Sequence, residues 1–379
     1  MTYDCIVLGL GGAGSAALYH VAQRGKRVLG LDRFPIGHDR GSSHGDTRLI
    51  RKAYFEHPDY VPLLLRAYKL WKDLEGHSGK RIYTQTGLLE IGSPRGELIS
   101  GTLRSAREHS IAIEEFDSAE IEARFDGFRV PEEAVGIYEH DAGYLAVEEG
   151  VRTFVDEAVN RGAETRTDEV VLGWDASHET VTIRTDRDEY TAARLIVTAG
   201  SWAADFLGDL GVPLIVLRKP LFWYRTTRRC YRREQGAPCF IFEVLSADGG
   251  SDAYYGFPGI DANGLKVAEH SRGQVVNDPL TVNRDVDLDD KKRIEAFLGQ
   301  HLTGVSASCS RHVVCMYTCT PDHHFIVDRH PEHPSVAFAA GLSGHGYKFA
   351  SVLGEVLADL ALEGKTELPI EFLSARRFG

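Results

Sequence analysis

The chain has 379 residues, of which 43% are hydrophobic and 26% charged, a composition typical of a globular protein with more than one domain. Its net charge of −12 excludes the basic surface of a nucleic-acid binder, and no apolar run approaches the roughly 20 residues of a membrane span. Six scattered cysteines lack C-x-x-C spacing, and no targeting signal is visible, so we expect reduced thiols in a cytoplasmic protein.

The first 32 residues have the pattern of a β–α–β unit. A buried strand is predicted at 4–8, a helix at 13–24 and a second strand at 27–31, which ends at Asp32. The G-x-G-x-x-G motif between the first strand and the helix permits a tight turn and close approach of a pyrophosphate, and Asp32 is spaced for a ribose hydroxyl. The motif glycines are Gly9, Gly11 and Gly14. A bound dinucleotide is predicted, without a choice between FAD and NAD.

The segment 41–51, G-S-S-H-G-D-T-R-L-I-R, contains two arginines three residues apart. A helix would place Arg48, Arg51 and the following Tyr54 on one face. Arginine suits a carboxylate ligand, because its planar fork forms two charge-assisted hydrogen bonds. A solvated surface pair is the alternative for this pattern.

Two later blocks repeat the α/β pattern. The first has a helical pattern at 151–158 and a buried strand at 195–200. The second has a strand at 336–340, a glycine-rich turn at 341–346 and a helix whose apolar face includes 353–360. The start of that last helix could present N–H groups to an electron-rich ring, which suits a flavin enzyme better than a simple NAD enzyme.

Strand-rich segments interrupt these blocks. The sequence therefore predicts a Rossmann-like α/β nucleotide-binding domain with a second α+β domain of mixed sheet threaded through it. The predicted nucleotide-binding parts are 1–80, 145–215 and 325–379, and the predicted substrate-domain parts are 81–144 and 216–324.

At three further places in the sequence the residue types would permit a functional role, and whether they have one depends on their surroundings in the fold. Cys315 lies in an apolar strand and shares a face with Tyr317, although a lone cysteine there is usually a small buried hydrophobe. Lys266 and His270 share a strand face, and an edge-strand lysine is the alternative. The run Asp322-His323-His324 lacks metal-ligand spacing, and its histidines would point to opposite faces of a strand, so no metal site is predicted.

Together these residues resemble the monomeric sarcosine oxidase / N-methyltryptophan oxidase family of D-amino-acid-oxidase-like flavoproteins. The resemblance covers essentially the whole chain. Its anchors are the glycine motif at 9–14, H-G-D-T-R at 44–48, Y-G-F-P at 255–258, C-M-Y-T at 315–318, P-D at 321–322 and G-H-G-Y-K at 344–348. The chain departs from the family at Ser43 and Tyr347, and its segment 245–253 looks longer than usual.

The resemblance implies a role for each anchor. FAD would be attached through an 8α-S-cysteinyl bond to Cys315. Arg51 and Lys348, beside Tyr54, would bind the substrate carboxylate. The catalytic set would comprise Arg48 at the flavin face, Lys266 near flavin N5 to assist reaction with O₂, and His44, Tyr255, His270 and Tyr317 around the cavity. The other cofactor-binding residues would be Gly9, Gly11, Gly14, Asp32, Arg33, Ser42, Thr47, Val171, Gly200, Gly344 and Gly346.

The implied activity is oxidation of sarcosine or a similar small N-methyl amino acid by O₂ in a cytoplasmic monomer. The products are formaldehyde, the demethylated amino acid and hydrogen peroxide. The alternatives are oxidation of N-methyltryptophan or of a cyclic imino acid such as proline or pipecolate. A dehydrogenase with a protein acceptor would leave Lys266 unexplained, and a non-catalytic nucleotide-binding module would leave Arg51, Lys348 and Cys315 unexplained.

Overall fold

The computed structural model describes residues 2–177, 180–245 and 250–379. Within these ranges, helices α1 to α8 span Gly12–Gln23, Tyr60–Ser78, Glu97–His109, Ser118–Arg124, Val147–Val159, Ala203–Leu207, Leu288–His301 and Ala350–Leu362. Strands β1 to β20 span Thr2–Leu8, Val28–Leu31, Thr47–Ile50, Tyr83–Gln85, Leu88–Gly92, Glu114–Asp117, Val135–Glu139, Gly143–Ala146, Glu164–Arg166, Val171–Ala176, Val181–Thr185, Glu189–Val197, Ile215–Thr226, Cys239–Leu245, Ser251–Phe257, Leu265–Glu269, Gln274–Val275, Val305–Cys319, Ile326–Arg329 and Val336–Ala340.

The first sheet is built around β1, which pairs in parallel with β2 and β12. Strands β9 and β20 extend the parallel part, while β10, β11 and β19 add antiparallel strands. Alternate residues of β1 enter two cores: Cys5 and Val7 pack in the core of α1 and α8, and Ile6 and Leu8 pack in the core of α6. Both faces of β1 are covered, which explains its nearly continuous apolar sequence. The predicted β–α–β opening is confirmed.

The second sheet has the order β17-β13-β16-β15-β14-β5-β7-β6, and β18 pairs with β13. It is antiparallel except where β14 and β5 run in parallel, so it is a mixed sheet. A small third sheet has the order β3-β8-β4. The Rossmann-like fold with a second mixed sheet agrees with the sequence, whereas the five-range domain division stays a prediction.

Two local interpretations from the sequence are wrong. Arg48 lies in strand β3 instead of a helix, because Arg48 pairs with Leu145 of β8. Gly45 and Asp46 precede the strand with φ of +86° and +71°, which no helix accommodates. The run 322–324 forms a turn, with His323 at φ +59°, and it is not part of a strand.

Two other expectations concern particular segments of the chain. In the part of the chain that the structure describes, no helix is long and apolar enough to cross a bilayer. Residues 246–249, within the segment expected to be longer than usual, lie outside the described ranges.

Candidate active site

The glycine turn after β1 forms one end of a long cavity. Gly9 has φ +87°, and a Cβ there would lie 2.9 Å from the carbonyl carbon of Thr198. A Cβ on Gly14 would overlap the carbonyl oxygen of Gly9, so both positions need glycine. Gly11, Gly12 and Ala13 at the start of helix α1 line the cavity, and the N–H of Gly12 donates to the Ser43 hydroxyl at 3.0 Å. The positive end of α1 therefore lies at the cavity wall and suits an anion.

Asp32 follows β2 beside this turn. Its carboxylate accepts the backbone N–H groups of Leu10 at 2.7 Å and Phe34 at 2.9 Å, and it lines the cavity. These two bonds fix the carboxylate, and its remaining lone pairs are available for a ligand hydroxyl. The ribose contact of Asp32 stays a prediction.

One continuous cavity joins this end to the centre of the molecule. The predicted residues that line it are Gly9, Gly11, Asp32, Arg33, Ser42, Arg48, Arg51, Val171, Gly200, Tyr255, His270, Cys315, Tyr317, Gly344, Gly346 and Lys348. Five predicted residues are outside its lining: Gly14, His44, Thr47, Tyr54 and Lys266. All five are buried.

Cys315 lies on β18 and is only 1% exposed. Arg48 donates from Nη2 to the Cys315 sulfur at 3.2 Å and to the carbonyl of Ser42 at 3.0 Å. The guanidinium of Arg48 therefore lies beside the sulfur in the cavity wall. Tyr317, two residues along β18, lines the same cavity, as the strand spacing predicted.

Two cations, Arg51 and Lys348, lie at the far end of the cavity. Arg51 Nη2 donates to Glu56 Oε2 at 2.9 Å, and Arg51 Nε lies 3.3 Å from Glu90 Oε1. Lys348 Nζ donates to the carbonyl of His345 at 2.7 Å and to the Tyr54 hydroxyl at 3.3 Å. Burial lowers the pKa of Lys348 well below its usual value. An anion between the two cations would offset that cost of burial.

Lys266 is buried in the interior of the second sheet, between β13 and β15. Its Nζ donates to the carbonyls of Gly45 at 2.6 Å and Thr47 at 2.8 Å, and it lies 4.4 Å from the centre of the Phe257 ring. Burial lowers its pKa well below the usual value, and Arg48 adds to that effect. The edge-strand alternative is therefore wrong.

Three ring-bearing side chains meet in the wall of the cavity. His270 Nδ1 lies 3.3 Å from the Tyr317 hydroxyl, which lies 3.5 Å from the Tyr255 hydroxyl. Burial, followed by the charge of Lys219, lowers the pKa of His270 to about 3, so the imidazole is neutral. Lys219 donates to the carbonyls of His270 and Arg272, and its Nζ lies 4.8 Å from the centre of the Tyr317 ring.

Several residues of this site were not singled out from the sequence. Glu56 lines the cavity, and the buried Glu90 and Lys219 lie behind it. Lys219 occurs in an apolar strand, R-K-P-L-F, which could have raised the question of a buried charge. Glu90, in L-L-E-I-G, gives the same kind of signal.

The residues that line the cavity fit an extended dinucleotide. The glycine turn has no room for a Cβ and lets a pyrophosphate approach the backbone, Asp32 lies beside it, and Cys315 also lies in the cavity wall. His44 lies outside this lining, and its buried Nε2 has no hydrogen-bond partner among the described residues.

One cluster of possible metal ligands lies elsewhere in the described residues. Atoms of Asp209, His330 and His333 lie within 4.8 Å of one another. His330 Nδ1 accepts the N–H groups of Glu332 and His333, so the proton is on Nε2, 3.0 Å from Asp209. That arrangement is an imidazole–carboxylate contact, because a metal on Nε2 would need the opposite tautomer.

Asp322, from the run at 322–324, forms an ion pair with Arg377 at 2.7 Å.

The fold and the cavity define a dinucleotide-dependent enzyme with two cations, Arg51 and Lys348, in the cavity wall. Residues 4–360 match the family model of the FAD-dependent oxidoreductases, and the chain belongs to that family. Within it, the chain belongs with the monomeric sarcosine oxidases and N-methyltryptophan oxidases. The expectation drawn from the sequence motifs is thereby confirmed.

Three relatives illustrate the match. Monomeric sarcosine oxidase of Streptomyces avermitilis is 40% identical over 380 residues, covering 99% of this chain and 98% of that protein. An N-methyl-L-tryptophan oxidase of Escherichia coli is 36% identical, with 100% of both chains covered. The structure of NikD, an unusual amino acid oxidase essential for nikkomycin biosynthesis, is similar at a TM-score of 0.85 and 25% identity, covering 98% of this chain and 97% of NikD.

Proposed function

We propose that the protein oxidises a small N-methyl amino acid of the sarcosine type, with O₂ as electron acceptor. The observation that carries the proposal is the pair of buried cations, Arg51 and Lys348, in the cavity that also contains Cys315 and the glycine turn. Relatives named as sarcosine oxidases are 39–41% identical, and those named as N-methyltryptophan oxidases are 35–36% identical.

The substrate carboxylate would bind between Arg51 and Lys348. Glu56 bonds Arg51, and its other oxygen lies 3.9 Å from His345 Nδ1. The substrate would therefore replace one carboxylate by another on the same guanidinium. Glu56 is 15% exposed and lies at the cavity wall, so it can turn toward solvent.

The amine would lie against Tyr255, His270 and Tyr317, away from the carboxylate. A neutral imidazole and two hydroxyls hydrogen-bond a neutral secondary amine without adding charge. The nearby cations also lower the amine pKa, which favours the form that can give up a hydride. When bound, FAD supplies the two-electron acceptor that turns the CH–NH bond into an imine and passes the electrons to O₂ as hydrogen peroxide. Water hydrolyses the imine to formaldehyde and the demethylated amino acid.

Cys315 would hold the cofactor through a thioether. The support is its place in the cavity wall, its burial and the guanidinium of Arg48 at 3.2 Å. Gly9, Gly11 and Asp32 would hold the dinucleotide end, by the contacts expected of this motif. The glycine-rich turn at 341–346 would lie against the ring, since Gly344 and Gly346 line the same cavity.

Lys266 would assist the reaction with O₂. Its Nζ is buried, donates to neutral carbonyls and lies among aromatic rings, so the charge of its protonated form is little screened. A fixed positive charge stabilises negative charge that develops on oxygen during reduction. This role distinguishes an oxidase from a dehydrogenase that passes its electrons to another protein.

We also propose a cytoplasmic monomer. All six cysteines, which lie within the described ranges, are free thiols, as is usual in a reducing compartment. The sarcosine oxidase relatives are named as monomeric.

A peroxide assay over N-methyl amino acids of graded size tests the substrate. We expect the highest kcat/KM with N-methylglycine and low values with N-methyltryptophan and proline. A preference for N-methyltryptophan or for a cyclic imino acid would move the assignment to those alternatives. No peroxide with any of them, in a protein that contains flavin, would refute the proposal.

A further inference from the structure

We propose that Glu90, behind Arg51, is a positioning residue that makes the affinity of this site for carboxylates fall with rising pH. The inference rests on the proposed function, because it takes Arg51 and Lys348 as the carboxylate site. It assigns a role to a buried acid that neither the sequence motifs nor the proposed chemistry uses.

The first observation is the position of Glu90 relative to Arg51. Glu90 Oε1 lies 3.3 Å from Arg51 Nε, and both side chains are only 3% exposed. The neighbouring Nη2 of Arg51 donates to Glu56 Oε2 at 2.9 Å. Arg51 is therefore held between an acid at the cavity wall and an acid inside the protein.

The second observation concerns the hydrogen bonds of the Glu90 carboxylate. Its Oε2 accepts the hydroxyl of Thr102 at 2.6 Å, whereas Oε1 and Arg51 Nε are buried and form no hydrogen bond of good geometry with any described residue. The two groups interact through charge more than through a directed bond. A change in the charge of Glu90 therefore acts directly on the field that Arg51 presents to a ligand.

Several other charged groups face this pair. Glu139, on the neighbouring strand β7, accepts the N–H groups of Lys52 and Ala53 and acts on Arg51 at longer range. The remaining groups around Arg51 are Glu56, Tyr54, Lys348 and His345. Burial raises the pKa of Glu90 to about 7, and Arg51 only partly opposes that effect. Burial also raises the pKa of Glu139 to about 7.

The sign of the effect follows from the charges. An ionised Glu90 and a bound carboxylate are like charges that share one guanidinium, so ligand binding favours protonated Glu90. Binding near neutral pH therefore takes up protons, and affinity falls as pH rises through the pKa of Glu90. If the bound ligand raises the pKa of Glu90 by one unit, Kd at the alkaline limit is about tenfold higher than Kd at the acid limit.

Calorimetric titration of the flavin-containing protein with methoxyacetate tests the expected pH dependence of carboxylate binding. Methoxyacetate has an ether oxygen where N-methylglycine has its amine, so the ligand does not titrate near neutral pH. From about pH 6 to about pH 9 we expect the wild-type Kd to rise by about tenfold or more. The titration is repeated near pH 7 in buffers of different ionisation enthalpy. The binding enthalpy should vary with the buffer, which shows that binding takes up protons.

Glu90→Gln should bind tightly across this range, with most of the pH dependence and proton uptake removed. With N-methylglycine as substrate at alkaline pH, its KM should be lower than that of the wild type while kcat changes little. Thr102→Val keeps the acid but removes its hydrogen-bond donor, so the midpoint of the Kd profile should move to higher pH.

The matched control is Glu243→Gln. Glu243 is also a buried carboxylate, lies on β14 beside β5, and accepts a hydroxyl from Ser251 at 3.3 Å. Its replacement should leave the wild-type profile unchanged. If Kd depends on pH as strongly in Glu90→Gln as in the wild type, or if the wild-type Kd does not depend on pH, the role of Glu90 is overturned. The proposed function would not be affected by either result. Failure of methoxyacetate to bind any variant would overturn the carboxylate site, and with it the proposed function.

Discussion

Replacement of Arg51 by alanine tests the carboxylate clamp most directly. A charge-assisted hydrogen bond contributes about 1.5–3 kcal/mol. Arg51 already bonds Glu56 at 2.9 Å, so the substrate gains only the difference between two carboxylate contacts. We therefore expect a loss near the lower limit, about 1.4 kcal/mol, which is about a tenfold increase in KM.

The effect should fall on KM more than on kcat. The carboxylate is distant from the CH–NH bond, so Arg51 stabilises the bound substrate and the transition state to a similar extent. Arg51→Lys keeps the charge without the planar fork, and its KM should lie between those of the wild type and Arg51→Ala. Glu56→Gln removes the competing carboxylate and should lower KM.

The assay is steady-state peroxide formation, normalised to flavin content, with N-methylglycine and with its uncharged amide. Arg51→Ala should lose most of the preference for the acid over the amide. Arg66→Ala is a suitable control, because Arg66 pairs with Glu355 away from the cavity lining. An Arg51→Ala protein with normal flavin content and an unchanged KM for the acid would refute the clamp.

Three further predictions concern the cofactor, oxygen and a buried charge. Cys315→Ala should release its flavin into the supernatant on acid precipitation, whereas the wild-type pellet stays yellow; a colourless wild-type pellet would exclude the thioether. Lys266→Met should slow reoxidation by O₂, measured by stopped flow, far more than it weakens substrate binding, and equal losses would contradict its assigned role. Burial lowers the pKa of Lys219 to about 8, while an unfolded lysine titrates near 10.4, so between these values the unfolded state binds more protons. The wild-type free energy of unfolding, relative to Lys219→Met, should therefore increase with pH in that window, and a constant difference in chemical denaturation would contradict it.

The sequence by itself determined the β–α–β opening, the dinucleotide motif and the family. Periodicity and spacing are local properties, so strands at 4–8 and 336–340 and the glycines at 9–14 could be recognised without the fold. The same patterns indicated that Cys315 and Tyr317 share a strand face. The resemblance then pointed to Arg51 and Lys348 as a possible pair.

Tertiary structure decided what surrounds those residues. Arg48 lies on a strand because β8 pairs with it, which the i to i+3 spacing of the arginines could not reveal. Lys266 meets the carbonyl of Gly45 across 221 positions of the chain, and Arg51 meets Glu90 only because β5 passes behind it. Such contacts join residues distant in sequence, and their electrostatic effect depends on burial, which only the packed sheets and helices establish.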